Sequence, residues 1–125
     1  MVGIVTDSAA SLEPGLAARH GVVVVPMRLE IDGSEVSEAF LGNDDVAARA
    51  GGGRVATAGP SPAAFLEAIR EAERGDGVVV LTTSARLSST HQAARLAAEL
   101  AGSDVSVVDT GTAAAGEGLV VLAAA

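Results

Sequence analysis

Val78, Val79, Val80 and Leu81 run without a break into Thr82, Thr83 and Ser84. A strand with one face in water alternates apolar and polar residues; an unbroken β-branched run is covered on both faces. The same grammar recurs three times. Residues 2–5 close in Thr6, Asp7 and Ser8, Val22–Val25 is a second pure valine run, and residues 105–108 close in Asp109 and Thr110.

Helical patterns separate these strands. Residues 13–19 carry Pro14 in a first turn and end at His20 and Gly21. Ser61 reads as an N-cap and Pro62 as the first position of a helix that buries Phe65, Leu66, Ile69 and Ala72. A further helix starts near residues 88–90 and places Ala93, Ala94, Leu96, Ala97 and Leu100 inward. A last one begins near Thr112 or Ala113 and is still apolar at Ala125. Strands that alternate with helices define the α/β class. The expected architecture is a three-layer α/β/α domain with a mostly parallel sheet of about four or five strands.

Two stretches depart from this rhythm. After Pro26, Met27 to Ile31 alternates, as an edge strand or small hairpin turning at Asp32 and Gly33 would. Asn43, Asp44 and Asp45 start a predicted helix that stops at the glycines 51–53. Residues 1–125 read as one domain, and the uncapped apolar end leads us to expect the first part of a longer protein.

Composition narrows the functions. The formal net charge is -8, and all 8 basic residues are arginines. A surface so acidic repels phosphate backbones, so no nucleic-acid partner is expected. Without lysine there is neither a P-loop nor Schiff-base chemistry, and without cysteine no thiolate chemistry. No apolar stretch reaches the roughly 18–20 residues of a membrane span, and no basic-then-apolar leader precedes residue 2. The cytoplasm is the expected compartment. Phe40 and Phe65, the 2 aromatic residues, read as core.

In open parallel sheets ligands bind outside the carboxyl ends of the strands. Three of those ends carry oxygen-bearing side chains, and residues 57–61 add a fourth cluster ahead of a helix. Free N–H groups at helix beginnings favour an anion by about 0.3–1 kcal/mol each, so a carboxylate or phosphate could be seated without lysine. Capping alone also selects Ser, Thr and Asp at helix starts. Around residues 84–90, however, Ser84, Ser88, Ser89 and Thr90 surround one loop, more hydroxyls than one cap needs. Asp7 and Asp109 either hold a magnesium ion or organise their loops by accepting backbone N–H groups. The first option would fit a metal-dependent enzyme acting on a phosphorylated small molecule. Ser8 lacks the elbow motif and histidine of a nucleophile. His20 reads as a solvated helix end, His91 lines the ligand loop or faces water, and Arg86 meets an anion or the solvent.

At these residues the sequence resembles the DegV family of bacterial proteins. Residues 4–12 resemble its opening I-V-T-D-S-T-A-D-L. Thr57, Ala58, Gly59, Pro60, Ser61 and Pro62, with Phe65, resemble T-S-Q-P-S-P-x-x-F. Residues 84–94 resemble S-S-x-L-S-G-T-Y-Q-S-A, and Val108, Asp109 and Thr110 with Gly116, Gly118 and Leu119 resemble its I-D-S stretch before a glycine-containing helix. The resemblance implies a two-domain protein that buries a long-chain fatty acid between its domains, the second domain being absent here. It implies a carboxylate held by the threonine of the first motif and a serine of the L-S-G-T loop. It also implies a binding and carrier subunit that is no enzyme itself, needs no cofactor or metal, and presents its ligand to a separate kinase subunit in phospholipid metabolism. Carried over by position, the ligand-binding residues are Thr57, Ser88 and Ser89, with Ser61 and Thr90 beside them. Gly59 stands for the family's glutamine, Ala58 for its serine, Ser89 for its glycine and His91 for its tyrosine.

Overall fold

The computed structural model describes residues 1–31, 33–37, 55–102 and 104–125. The apolar runs become parallel strands: β1 (Gly3–Asp7), β2 (Val22–Val25), β6 (Val78–Thr82) and β7 (Val105–Asp109), in the order β2-β1-β6-β7. β1 is central and buried along its whole length. Ile4 lies opposite Val22 on one side and Val79 on the other, and Thr82 lies opposite Asp109.

Helices cover both faces, because successive side chains of a strand point to opposite sides. Val5, Val25, Val78 and Val80 pack under α2 (Pro62–Ala72) and α3 (Thr90–Ala101), against Phe65, Ile69, Ala94 and Ala97. Ile4, Val22 and Leu81 face the other way, onto Ala17 of α1 (Pro14–Arg19), Ala10 of a 3-10 turn (Ser8–Ala10) and Val121 of α4 (Ala114–Ala124). This is the expected three-layer α/β/α arrangement. Ser61 caps α2 as its sequence indicates, accepting the Ala64 N–H at 3.2 Å, with Pro62 in the first turn.

A second, antiparallel sheet hangs beside the first, in the order β4-β3-β5. Its hairpin joins β3 (Arg28–Ile31) to β4 (Ser34–Ser37), and Gly33 takes a left-handed φ of 80° in the connection. β5 (Val55–Ala58) pairs with β3, Leu29 opposite Thr57. No strand is expected there from the sequence, since a short V-A-T-A run offers almost nothing to bury. The helix expected from Asn43 to the glycines 51–53, the core position of Phe40 and the turn residue Asp32 lie outside the described residues.

One expectation is corrected. Leu96 and Leu100 do not point inward; they are 46% and 66% exposed. Ala94 and Ala97 line the buried stripe of α3, and at 100° per residue Leu96 falls on the opposite side of the helix from Ala94. β7 is an edge strand, and Val108 on it is also largely exposed.

Candidate functional site

The chain leaves β1 toward β2 on one side and reaches β6 on the other, so the switch of direction falls between β1 and β6. The loops after those two strands must part there and leave a crevice. An open cleft of about 460 Å³ occupies the place. It is lined by Ala9 after β1, Thr83, Leu87, Ser88 and Ser89 after β6, Met27 and Arg28, and residues 57–59 of the small sheet. That volume lies within the range of small-molecule sites.

Thr57 on β5 and Ser88 in the loop after β6 therefore reach one cleft, and Ser89 joins them. Thr57 sits exposed on β5. Ser88 Oγ accepts the Thr90 N–H at 3.2 Å and stands 2.7 Å from Thr90 Oγ1, which holds the turn into α3. Thr90 itself is fully buried, behind the wall rather than on it. Ser61 is occupied with its cap and borders a shallower pocket of about 250 Å³, shared with Arg28, Gly59 and Ser89. Of the five positions inferred from sequence, three share the cleft, Thr90 holds Ser88 from behind it, and Ser61 borders the neighbouring pocket.

The substitution at Gly59 has a steric reason. A Cβ there would lie 2.7 Å from Thr90 Oγ1, so this chain seats β5 directly on the first turn of α3. Arg28, which the sequence did not single out, completes the wall. Its Nε donates to Gly59 O at 2.9 Å and its Nη1 to Glu35 Oε1 at 2.8 Å, which fixes a cation at the cleft. The signal for it was thin: an arginine in a short alternating strand is ordinarily a solvated residue.

The aspartates organise loops. Asp7 is fully buried and accepts the Ala9 N–H at 3.0 Å and the Thr83 N–H at 2.9 Å. Burial raises its pKa, against the lowering effect of those N–H bonds. Asp109 accepts from Gly111 at 2.9 Å and Ala85 at 3.3 Å, and chiefly the Gly111 N–H holds its pKa low. Among the described residues no group of three or more His, Asp and Glu side chains is arranged to hold a metal ion. Ser8 Oγ accepts the Met27 N–H at 2.9 Å, tying the end of β1 to the start of the small sheet. His20 closes α1 in an exposed position. His91 Nδ1 lies 3.0 Å from Thr82 Oγ1 and borders a separate surface pocket, so it turns away from the cleft. Arg86 is exposed.

Beyond Ser8 and Pro26 an apolar groove of about 480 Å³ runs along α1 and β2, between Leu12, Ala17, Ala18, Val22 and Val24. Ser8 and Pro26 border the groove while their chain neighbours Ala9 and Met27 border the polar cleft. The two therefore adjoin.

The family model described as "Uncharacterised protein, DegV family" matches residues 1–125. The chain belongs to the DegV family. DegV domain-containing proteins of Streptomyces coelicolor and Deinococcus radiodurans are each 42% identical to it over 99% of this chain. Each match covers 46% of the relative, so this DegV chain spans about half the length of those relatives. Among solved structures it is similar to a DegV family protein from Thermus thermophilus described by its fatty acid binding. The two superpose with a TM-score of 0.88 at 36% identity, over 98% of this chain and 45% of that one. A Thermotoga maritima protein described as revealing a fatty acid binding function matches at a TM-score of 0.77 and 26% identity, over 91% of this chain and 44% of that one.

Proposed function

We propose that this DegV chain binds a long-chain fatty acid, seats its carboxylate between Thr57, Ser88 and Ser89, and presents that carboxylate to a separate kinase subunit in the cytoplasm. On this reading the chain is a carrier and does no chemistry of its own. Residues 1–125 form one domain of the DegV kind, and the remaining length found in relatives supplies the rest of the acyl chamber.

The observation that carries the reading is the shared cleft. Thr57 and Ser88 lie 31 positions apart in sequence, one on a strand of the small sheet and the other in the loop after β6, yet line one crevice at the switch between β1 and β6. Both come from segments that match DegV motifs, in a chain 36% identical to a fatty-acid-binding relative. Neutral hydroxyls with one fixed guanidinium, Arg28, suit a single carboxylate in an acidic protein. The adjoining apolar groove gives the first methylenes a course out of water. Each methylene buried contributes about 0.8 kcal/mol, so affinity rises roughly fourfold per added carbon while the tail stays in contact.

Native mass spectrometry of the chain purified from cells, followed by titration with hexadecanoate, tests the reading. A co-purifying fatty-acid mass is expected. Thr57→Ala and Ser88→Ala should each weaken hexadecanoate binding roughly tenfold or more, since each removes a hydrogen bond to a charged group. Unchanged affinity in both variants removes the proposed seat. The metal-dependent alternative finds little support, because both oxygens of Asp7 and Oδ1 of Asp109 already serve backbone N–H groups.

A further inference from the structure

Glu117 has no part in the seat described above, yet it is wholly buried. It interrupts a helix otherwise built of Ala, Gly, Val and Leu. Glycines flank it for a steric reason: a Cβ on Gly118 would lie 2.6 Å from Ala10 O, and one on Gly116 would lie 2.5 Å from Thr112 Oγ1. The helix is thereby seated against the turn after β1, and the Glu117 carboxyl is carried to the carboxyl end of that strand.

The hydrogen bonds around it fix its protonation. Thr6 Oγ1 donates to Leu81 O at 2.9 Å and lies 3.3 Å from Glu117 Oε1. A hydroxyl has a single proton, and the shorter bond to Leu81 claims it. Glu117 Oε2 has no hydrogen-bond partner. An ionised carboxylate would then be a buried charge beside only the Thr6 and Thr83 hydroxyls, each of which also donates to a backbone carbonyl, whereas a carboxylic acid brings its own O–H. Asp7 is the opposite case, with a backbone N–H on each oxygen, which suits the ionised form. From the elements packed on Glu117 (β1, the Ser8–Ala10 turn and β6), Asp7 is the titratable group that faces it. Burial first, and the Asp7 charge second, push the Glu117 carboxyl up to about 8.

This pair stands one layer behind the cleft. Ala9 and Thr83, whose N–H groups Asp7 holds, both line it, and so does Ala113, whose carbonyl accepts the Glu117 N–H at 3.4 Å. We propose that Asp7 and Glu117 hold one proton between them and make the cleft a proton-linked anion site, which admits a carboxylate while the pair carries one negative charge and rejects it once that proton leaves. The proposal rests on the fatty-acid reading, since the anion is the acyl carboxylate.

The test is hexadecanoate binding to the whole chain and to Glu117→Gln at about pH 6.5 and about pH 9.5, on either side of the pair's upper titration. The wild-type chain should lose roughly tenfold in affinity at the higher pH, and the Glu117→Gln chain less than about twofold. An equal loss in both overturns the proton link and leaves the fatty-acid reading standing. No binding by either at any pH overturns the anion site and that reading together. Carbon NMR of the wild-type chain with labelled glutamate carboxyls provides a readout that needs no variant and no ligand. Glu117 should remain protonated at neutral pH; a Glu117 carboxyl already ionised there overturns the proposal.

Discussion

At the scale of single residues, one hydroxyl can serve a cap or a ligand, and the distinction is testable. Ser61→Ala should lower stability by about 1 kcal/mol in urea denaturation, the usual cost of an N-cap, and leave ligand affinity within twofold or so. Gly59→Ala forces a methyl to within 2.7 Å of the buried Thr90 hydroxyl. It should cost about 1–3 kcal/mol and also displace Ser88, so stability and binding fall together. Thr57, Ser88 and Ser89 were named from their places in segments that resemble the family's motifs, and the excess of hydroxyls around residues 84–90 pointed to the same loop. Glu117 was not read, although its signal is plain afterwards: an acid between two glycines inside an apolar helix. Arg28 was beyond reach, since its role depends on the Gly59 carbonyl, distant in sequence, as well as on Glu35 across the hairpin.

Elements were legible in proportion to what they bury. The four parallel strands followed from apolar runs, unbroken in β2 and β6 and interrupted by Gly3 in β1 and Ser106 in β7. β5 escaped because its order comes from pairing with β3 rather than from its own apolar content. In α3 the leucines misled, being large but on the wrong side; small alanines meet the sheet because a close approach needs little volume. It follows that Leu96→Gln and Leu100→Gln should each change the unfolding free energy measured in urea by no more than about 0.5 kcal/mol. Ala97→Leu, on the buried stripe, should destabilise by about 1–3 kcal/mol.

For the molecule as a whole, shifted carboxyls among the described residues tie stability to pH in two opposite senses. Glu117 titrates near 8 in the fold against an ordinary 4.5, so between those values the folded state binds more protons than the unfolded one. Its contribution is intact below about 4.5, declines as pH rises toward about 8 and is level above that; the raised Asp7 acts in the same direction. Asp109 is depressed, so its contribution holds at neutral pH and is lost on acidification through its lowered value. Thermal melting of the chain across this range should therefore show a decline toward alkaline pH that Glu117→Gln flattens. A wild-type curve no steeper than that of the variant would show that Glu117 is an ordinary carboxyl.

The central place of β1 also governs how the chain is made. Its residues leave the ribosome well before those of β6, yet Gly3 pairs with Val78, and one side of the strand waits until that distant partner has been synthesised. During that interval an apolar edge with unsatisfied N–H and C=O groups is open to other nascent chains. Any fragment ending before Val78 should collect in the insoluble fraction, and synthesis of the whole polypeptide should depend on holdase chaperones until β6 has emerged.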